Sequence, residues 1–123
     1  MENLTPEQIV DGNKLIAEFL GYPANELNEH WLIVPDKTLS QYIQTRELKY
    51  HISFDWIMPV VDKISTMAFD NVGEIGFVIY PNRCDLMNSS DDVIIEGLTQ
   101  STTLKAVYLA VLSFINWYNL QPK

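Results

Sequence analysis

The sequence predicts an α+β fold, a single domain over residues 1–123. Its expected form is a three-stranded antiparallel meander packed with helices on one or both faces, in the order α-(β)-α-β-β-β-α. Two patterns carry that expectation. Between Asp70 and Gln100 the hydrophobic period is two, with Ile75, Phe77 and Ile79 alternating against Gly76, Val78 and Tyr80, as half-buried strands require. Thr103–Asn119, TLKAVYLAVLSFINWYN, is helical in period and leaves almost no polar face. Such a helix must be buried on more than one side, between layers of its own fold or under a second subunit.

The elements follow in order. Thr5-Pro6-Glu7-Gln8 is a capping box, with Thr5 as N-cap, Pro6 at the first helical position and Gln8 reaching back. Ile9, Ile16, Phe19 and Leu20 continue one apolar stripe to Gly21, so a helix is expected over Pro6–Leu20. Trp31–Val34, closed by Pro35-Asp36, reads as a short strand. Residues 37–49 have weak helical periodicity at Leu39, Tyr42 and Ile43, and read as a loop or a short helix. Ile57, Val60, Val61, Ile64 and Ala68 share one face of a second helix, Phe54–Ala68, which Ser53 or Asp55 can cap. Pro59 is comfortable only in a first turn, so this helix is expected either to start near Trp56 or to kink. The meander then runs through residues 75–80, a Pro81-Asn82 turn, a strand with Cys84 and Leu86 inward, a Ser89–Asp92 turn, and Val93–Glu96. Ser101 or Thr102 caps the last helix.

Sixteen acidic residues against eight basic ones give a formal charge of −8. That surface repels phosphate backbones, so neither nucleic acid nor an anionic membrane is expected as a partner. The helix–meander–helix order echoes double-stranded-RNA-binding domains, but Lys105 stands alone where a basic face would be needed. The longest apolar stretch, Val107–Tyr118, is well short of the roughly 20 residues that span a bilayer. Residues 1–20 show no basic segment followed by an apolar one. The single Cys84 allows no disulfide within the chain and points to a reducing compartment, hence the cytoplasm.

Three segments resemble small phage and prophage proteins of Bacteroidetes hosts. They are Asn13–Gly21 (NKLIAEFLG), Tyr50–Ile64 (YHISFDWIMPVVDKI), and Ala106-Val107-Tyr108 continuing to Phe114–Asn119 (FINWYN). The pattern is similar to the phage ABA-sandwich domain. The resemblance implies a sheet between helical layers and a phage or mobile-element origin, with the cytoplasm of a bacterial host as the place of action. It brings no catalytic residue with it. Glu26–Arg46 has no counterpart in it, so a specialised role is expected there.

Chemistry-bearing constellations are few. The five glycines are scattered, and no nucleophile elbow, zinc-ligand spacing or calcium loop occurs. Cys84 could serve as a nucleophile with His51 as its base, yet it reads as a small core residue, since strand alternation turns Arg83 to the opposite face. His51 and Asp55 could pair one helical turn apart if the second helix reaches back to residue 51. His30 with Glu26 and Glu29, and Asp91-Asp92 with Glu96, are weak cation candidates, so no metal and no cofactor is expected. The aromatics are more informative: Tyr50, Phe54, Trp56 and Phe69 gather around the second helix, and Trp117 with Tyr118 ends the last one.

Two functions are therefore weighed. One is a non-enzymatic protein that works by protein–protein interaction, with Trp31, Trp56 and Trp117 as contacts beside Asp55 and Asp62. The other is a small-ligand or nucleotide-binding domain with a pocket near His51, Asp55 and Arg83. The last helix is also a natural seam for a homodimer.

Overall fold

A computed structural model describes residues 4–34, 39–69, 73–88 and 92–121. Its helices and antiparallel strands are those of an α+β protein, and the meander is present. Helix α1 spans Pro6–Phe19, and both halves of its capping box form: Gln8 N–H donates to Thr5 Oγ1 at 3.1 Å, and Thr5 N–H to Gln8 Oε1 at 2.9 Å.

The segment after α1 departs from expectation. Strand β1 spans Glu29–Val34 and pairs antiparallel with β2, Leu39–Gln44, so the region read as a loop or short helix is mostly a strand. Only Thr45–Glu47 is helical, as one 3₁₀ turn. The polar residues of β2 blur any period within that segment. Its conformation comes from the ladder to β1, with Trp31 opposite Tyr42 and Glu29 opposite Gln44.

Helix α2 spans Phe54–Ser65, shorter than expected. At its end the Thr66 N–H turns back to the Lys63 carbonyl and the Met67 N–H to the Ile64 carbonyl, at 3.1 and 3.0 Å, and Thr66 Oγ1 also donates to the Lys63 carbonyl at 2.7 Å, so carbonyls that a further turn would have used are satisfied locally. The helix starts at Phe54, two residues before Trp56, and Pro59 lies inside it. Trp56, Ile57, Val60, Val61 and Ile64 hold it against the core, and that burial offsets the hydrogen bond Pro59 cannot make. Ser53 takes the N-cap position without a side-chain cap bond.

A two-residue ladder, β3 (Ala68–Phe69) with β4 (Gly73–Glu74), precedes the meander. The meander itself is β5 (Gly76–Tyr80), β6 (Arg83–Met87) and β7 (Val93–Ile95), in that spatial order. Of the expected Ser89–Asp92 turn, Ser89, Ser90 and Asp91 lie outside the described residues. Asn88 and Asp92 close its base, each backbone N–H donating to the other residue at 2.9 Å. Gly97 passes directly over the Cys84 peptide, and a Cβ there would collide with the Cys84 carbonyl. Only glycine permits that approach.

Helix α3 spans Thr103–Asn119, with Thr102 Oγ1 accepting from Lys105 N–H at 3.1 Å. It touches β5, β6 and β7 on one side and α1 and α2 on others. Ala106, Val107, Tyr108, Ala110, Val111, Phe114 and Ile115 are all buried within this one chain. Most of its apolar surface is thus covered by the layers of its own fold. The helix covers the face of the meander that carries Cys84 and Leu86. On the opposite face Arg83 lies over the Tyr80 ring, 5.6 Å from its centroid, and Tyr80 is 44% exposed.

Candidate functional site

The β1–β2 hairpin alternates as a one-layer ribbon must. His30 and Leu32 point inward and are 0% and 4% exposed; Trp31 and Tyr42 point outward and are 52% and 57% exposed. The two outward rings are direct cross-strand partners with centroids 4.6 Å apart and planes inclined by 60°. Beside them lies a shallow concavity of about 410 Å³, lined by Gly21, Tyr22, Pro23, Asn25, Glu29, Trp31 and Tyr42.

The underside of the hairpin explains how this surface is held. His30 Nδ1–H donates to the Tyr22 carbonyl, and His30 Nε2 lies 3.0 Å from Thr45 Oγ1. One buried ring thereby ties the Tyr22–Pro23 turn to β1 and to the turn after β2. Asn25 Oδ1 accepts from Leu27 N–H at 2.9 Å and Glu29 N–H at 3.0 Å, which shapes the chain entering β1. The Glu29 carboxylate accepts from Asn25 Nδ2 at 3.4 Å and Gln44 Nε2 at 3.3 Å. His30 is therefore a structural pin and not a metal ligand with Glu26 and Glu29. It sits beneath the ribbon, while Glu29 is on the other side. Among the described residues no cluster of His, Cys, Asp or Glu could hold a metal ion. Asp91 of the other cation candidate lies outside them, and Asp92 and Glu96 are exposed.

The remaining candidates separate. Trp56 is 2% exposed and stacks edge-on against Tyr50, centroids 5.3 Å apart, so it is a core residue and not a contact. Trp117 is half-buried, its ring edge-on to Phe69 at 5.1 Å, inside a cluster with Phe114. Trp56 and Trp117, candidate contacts on the protein-interaction reading, are instead held among other aromatic rings. Asp55 and Asp62 are exposed on α2.

His51 lies before α2 begins, so the helical pairing with Asp55 does not form. Its partner is Asn13, whose Nδ2 donates to the Leu48 carbonyl at 3.0 Å and meets His51 Nδ1 at 3.0 Å. Because the carbonyl fixes Nδ2 as the donor atom, His51 Nδ1 accepts and its proton resides on Nε2. Burial lowers the His51 pKa from its usual value of 6.5. His51 lines a concavity of about 270 Å³ with Leu4, Ile9, Thr102, Lys105 and Tyr108; neither Asp55 nor Arg83 lines it. Arg83 instead holds Asp85 through Nε at 3.1 Å and Nη2 at 3.0 Å. That pair, with Gly97 N–H donating to Asp85 Oδ1 at 2.8 Å, keeps the carboxyl below the usual carboxylate range.

Cys84 is buried under Gly97, and burial together with the Asp85 charge pushes its thiol up to about 11. A thiol so far from ionising is no nucleophile at neutral pH. Tyr42 is the surface residue that the sequence reading passed over. The signal was its position directly opposite Trp31, which becomes visible only once the hairpin is paired. Comparison with protein-family models, with curated proteins and with solved structures finds no match for the chain.

Proposed function

We propose that this chain is a small non-enzymatic protein of phage or prophage type, which acts in a bacterial host's cytoplasm by binding another protein through the outward face of its β1–β2 hairpin. The observation that carries this reading is the Trp31–Tyr42 pair. Two large rings, each more than half exposed, sit side by side on a ribbon whose inward His30 and Leu32 are buried. Aromatic groups of this kind are the anchors of protein interfaces. The hairpin also lies within Glu26–Arg46, the segment outside the phage-like pattern, where a specialised contact was expected. Of the three tryptophans, Trp31 is the one more than half exposed.

The test compares what the wild type, Trp31→Ala and Leu120→Ala retain from a lysate of a bacterial host. Leu120 is 83% exposed and distant in sequence from the hairpin. The same protein should be held by the wild type and Leu120→Ala and lost by Trp31→Ala, whose circular dichroism should stay native. Equal retention by all three would refute the reading.

A second reading rests on the concavity at His51, lined also by Thr102 and Lys105, where His51, Lys105 and Thr102 would offer donors to a small anionic ligand. It predicts a rise in thermal midpoint with an anionic metabolite, abolished by His51→Ala. No rise with any member of a nucleotide and sugar-phosphate panel would dispose of it.

A further inference from the structure

The chemistry around the Trp31–Tyr42 pair specifies more than an apolar contact. Glu29 is two residues from Trp31 on the same strand face, and both line the concavity with Tyr42 and Tyr22. Its carboxylate is oriented by two neutral amides, Asn25 Nδ2 and Gln44 Nε2. No cationic side chain among the described residues pairs with it. Inclined ring faces attract a positive charge through their quadrupoles, and a fixed carboxylate at the rim adds a direct Coulomb term. An open hollow with aromatic side chains, one oriented anion and no cation among the described residues beside it is therefore short of one thing: a positive group from outside.

Resting on the reading that this hairpin is a protein-binding surface, we propose that its occupant is a lysine or arginine side chain on a basic segment of the partner, seated against Trp31 and Tyr42 with its charge toward Glu29. Two features favour a cation carried by a chain over a free small cation. The hollow is open and shallow, whereas small-molecule sites enclose most of their ligand. The molecule's formal charge of −8 also draws a basic protein surface toward it over distances that a single small ion does not exploit. An aliphatic stem lying along the rings with its head at the carboxylate matches the two-sided character of Lys and Arg.

The experiment follows the Trp31 indole N–H signal by ¹H–¹⁵N NMR, assigned by its loss in Trp31→Ala. The probes are an acetylated Gly-Arg-Gly-Arg-Gly peptide, the same peptide with citrulline for arginine, and tetramethylammonium. Citrulline keeps the shape and removes the charge. The expected result is a saturable shift with the arginine peptide that weakens with added salt. The citrulline peptide should bind about fivefold or more weakly, and Glu29→Gln should weaken the arginine peptide about two- to fivefold. Tyr42→Leu provides a second variant should Glu29→Gln loosen the hairpin, and it too should weaken the arginine peptide.

Equal binding of the arginine and citrulline peptides would overturn the cation assignment while leaving the hairpin as an interaction surface. Tetramethylammonium binding as tightly as the peptide would overturn a protein source for the cation. No shift with any probe would overturn the cation assignment as well. The fate of the broader reading is then decided separately, by whether Trp31→Ala loses the captured partner.

Discussion

Trp56 and Trp31 each lie against a tyrosine, at ring separations of 5.3 and 4.6 Å, yet they are 2% and 52% exposed. The difference lies in what surrounds the pair. Trp56 is on α2, which packs against both α3 and β5, so its ring and that of Tyr50 are closed in from several directions. Trp31 is on a two-stranded ribbon that uses one face for packing, through His30 and Leu32, and leaves the other open. Residue type alone therefore does not separate a core aromatic from an available one; the number of layers over it does. Trp56 Nε1 finds no acceptor among the described residues, so in the core that atom contributes nothing that packing does not.

Substitutions should widen or close that gap, and the largest effect belongs to the core. Trp56→Ala is expected to lower the unfolding free energy by about 3–5 kcal/mol, measured by urea denaturation. Since its Nε1–H is unpartnered, Trp56→Phe should lose far less. A loss below that of Trp31→Ala would mean the two pairs are not distinguished by burial.

His30→Leu comes next and connects the two regions. Removing the ring leaves the Tyr22 carbonyl without its donor, at about 1–3 kcal/mol. The Trp31 indole signal should move even though Trp31 itself is untouched. If stability falls with no change at Trp31, His30 does not hold the outward face in place.

Trp31→Ala should then lower stability by about 1 kcal/mol or less, the contribution of an exposed cross-strand aromatic pair. A loss as large as that of Trp56→Ala would make Trp31 a structural residue and remove the reason to look for a partner there.

The smallest expected effect is a pH dependence at His51, which lies beside the core but opens to a concavity. Burial lowers its pKa in the folded chain, so below about pH 6.5 the unfolded chain binds a proton that the folded one does not. Its contribution is complete above pH 6.5 and is lost as pH falls toward the folded value. Protonation at Nδ1 would also set a donor against Asn13 Nδ2. Denaturation at pH 7.5 and 5.5 should therefore show a smaller acid loss in His51→Gln than in the wild type. Equal losses would show that His51 is not the group responsible.

Much of the fold is legible in the chain itself, where the signals are local. The Thr5–Gln8 box, the two-residue period of β5 and β6, a cap at Ser101 or Thr102 and the nearly all-apolar α3 each specify their element within a few residues; each element is found in place, with Thr102 as the cap. The inward position of Cys84 and Leu86 follows from the same period. Strand β2 is not legible in this way, because Leu39–Gln44 has no strong period of its own and takes its conformation from pairing with β1. Nor is the shortened α2, whose last carbonyls are taken by the Thr66 and Met67 backbone N–H groups and the Thr66 hydroxyl.

The candidate site divides along the same line. Trp31 can be picked out as an aromatic in a segment without a clear core period. That Tyr42 stands opposite it, that Glu29 shares its face, that Trp56 belongs to the interior and that Trp117 packs against it are all decided by tertiary contact. A local pattern reports which faces are apolar, because burial follows the repeat of the element. It does not report how many of those faces a second layer will cover, because that depends on segments far apart in the chain meeting in space.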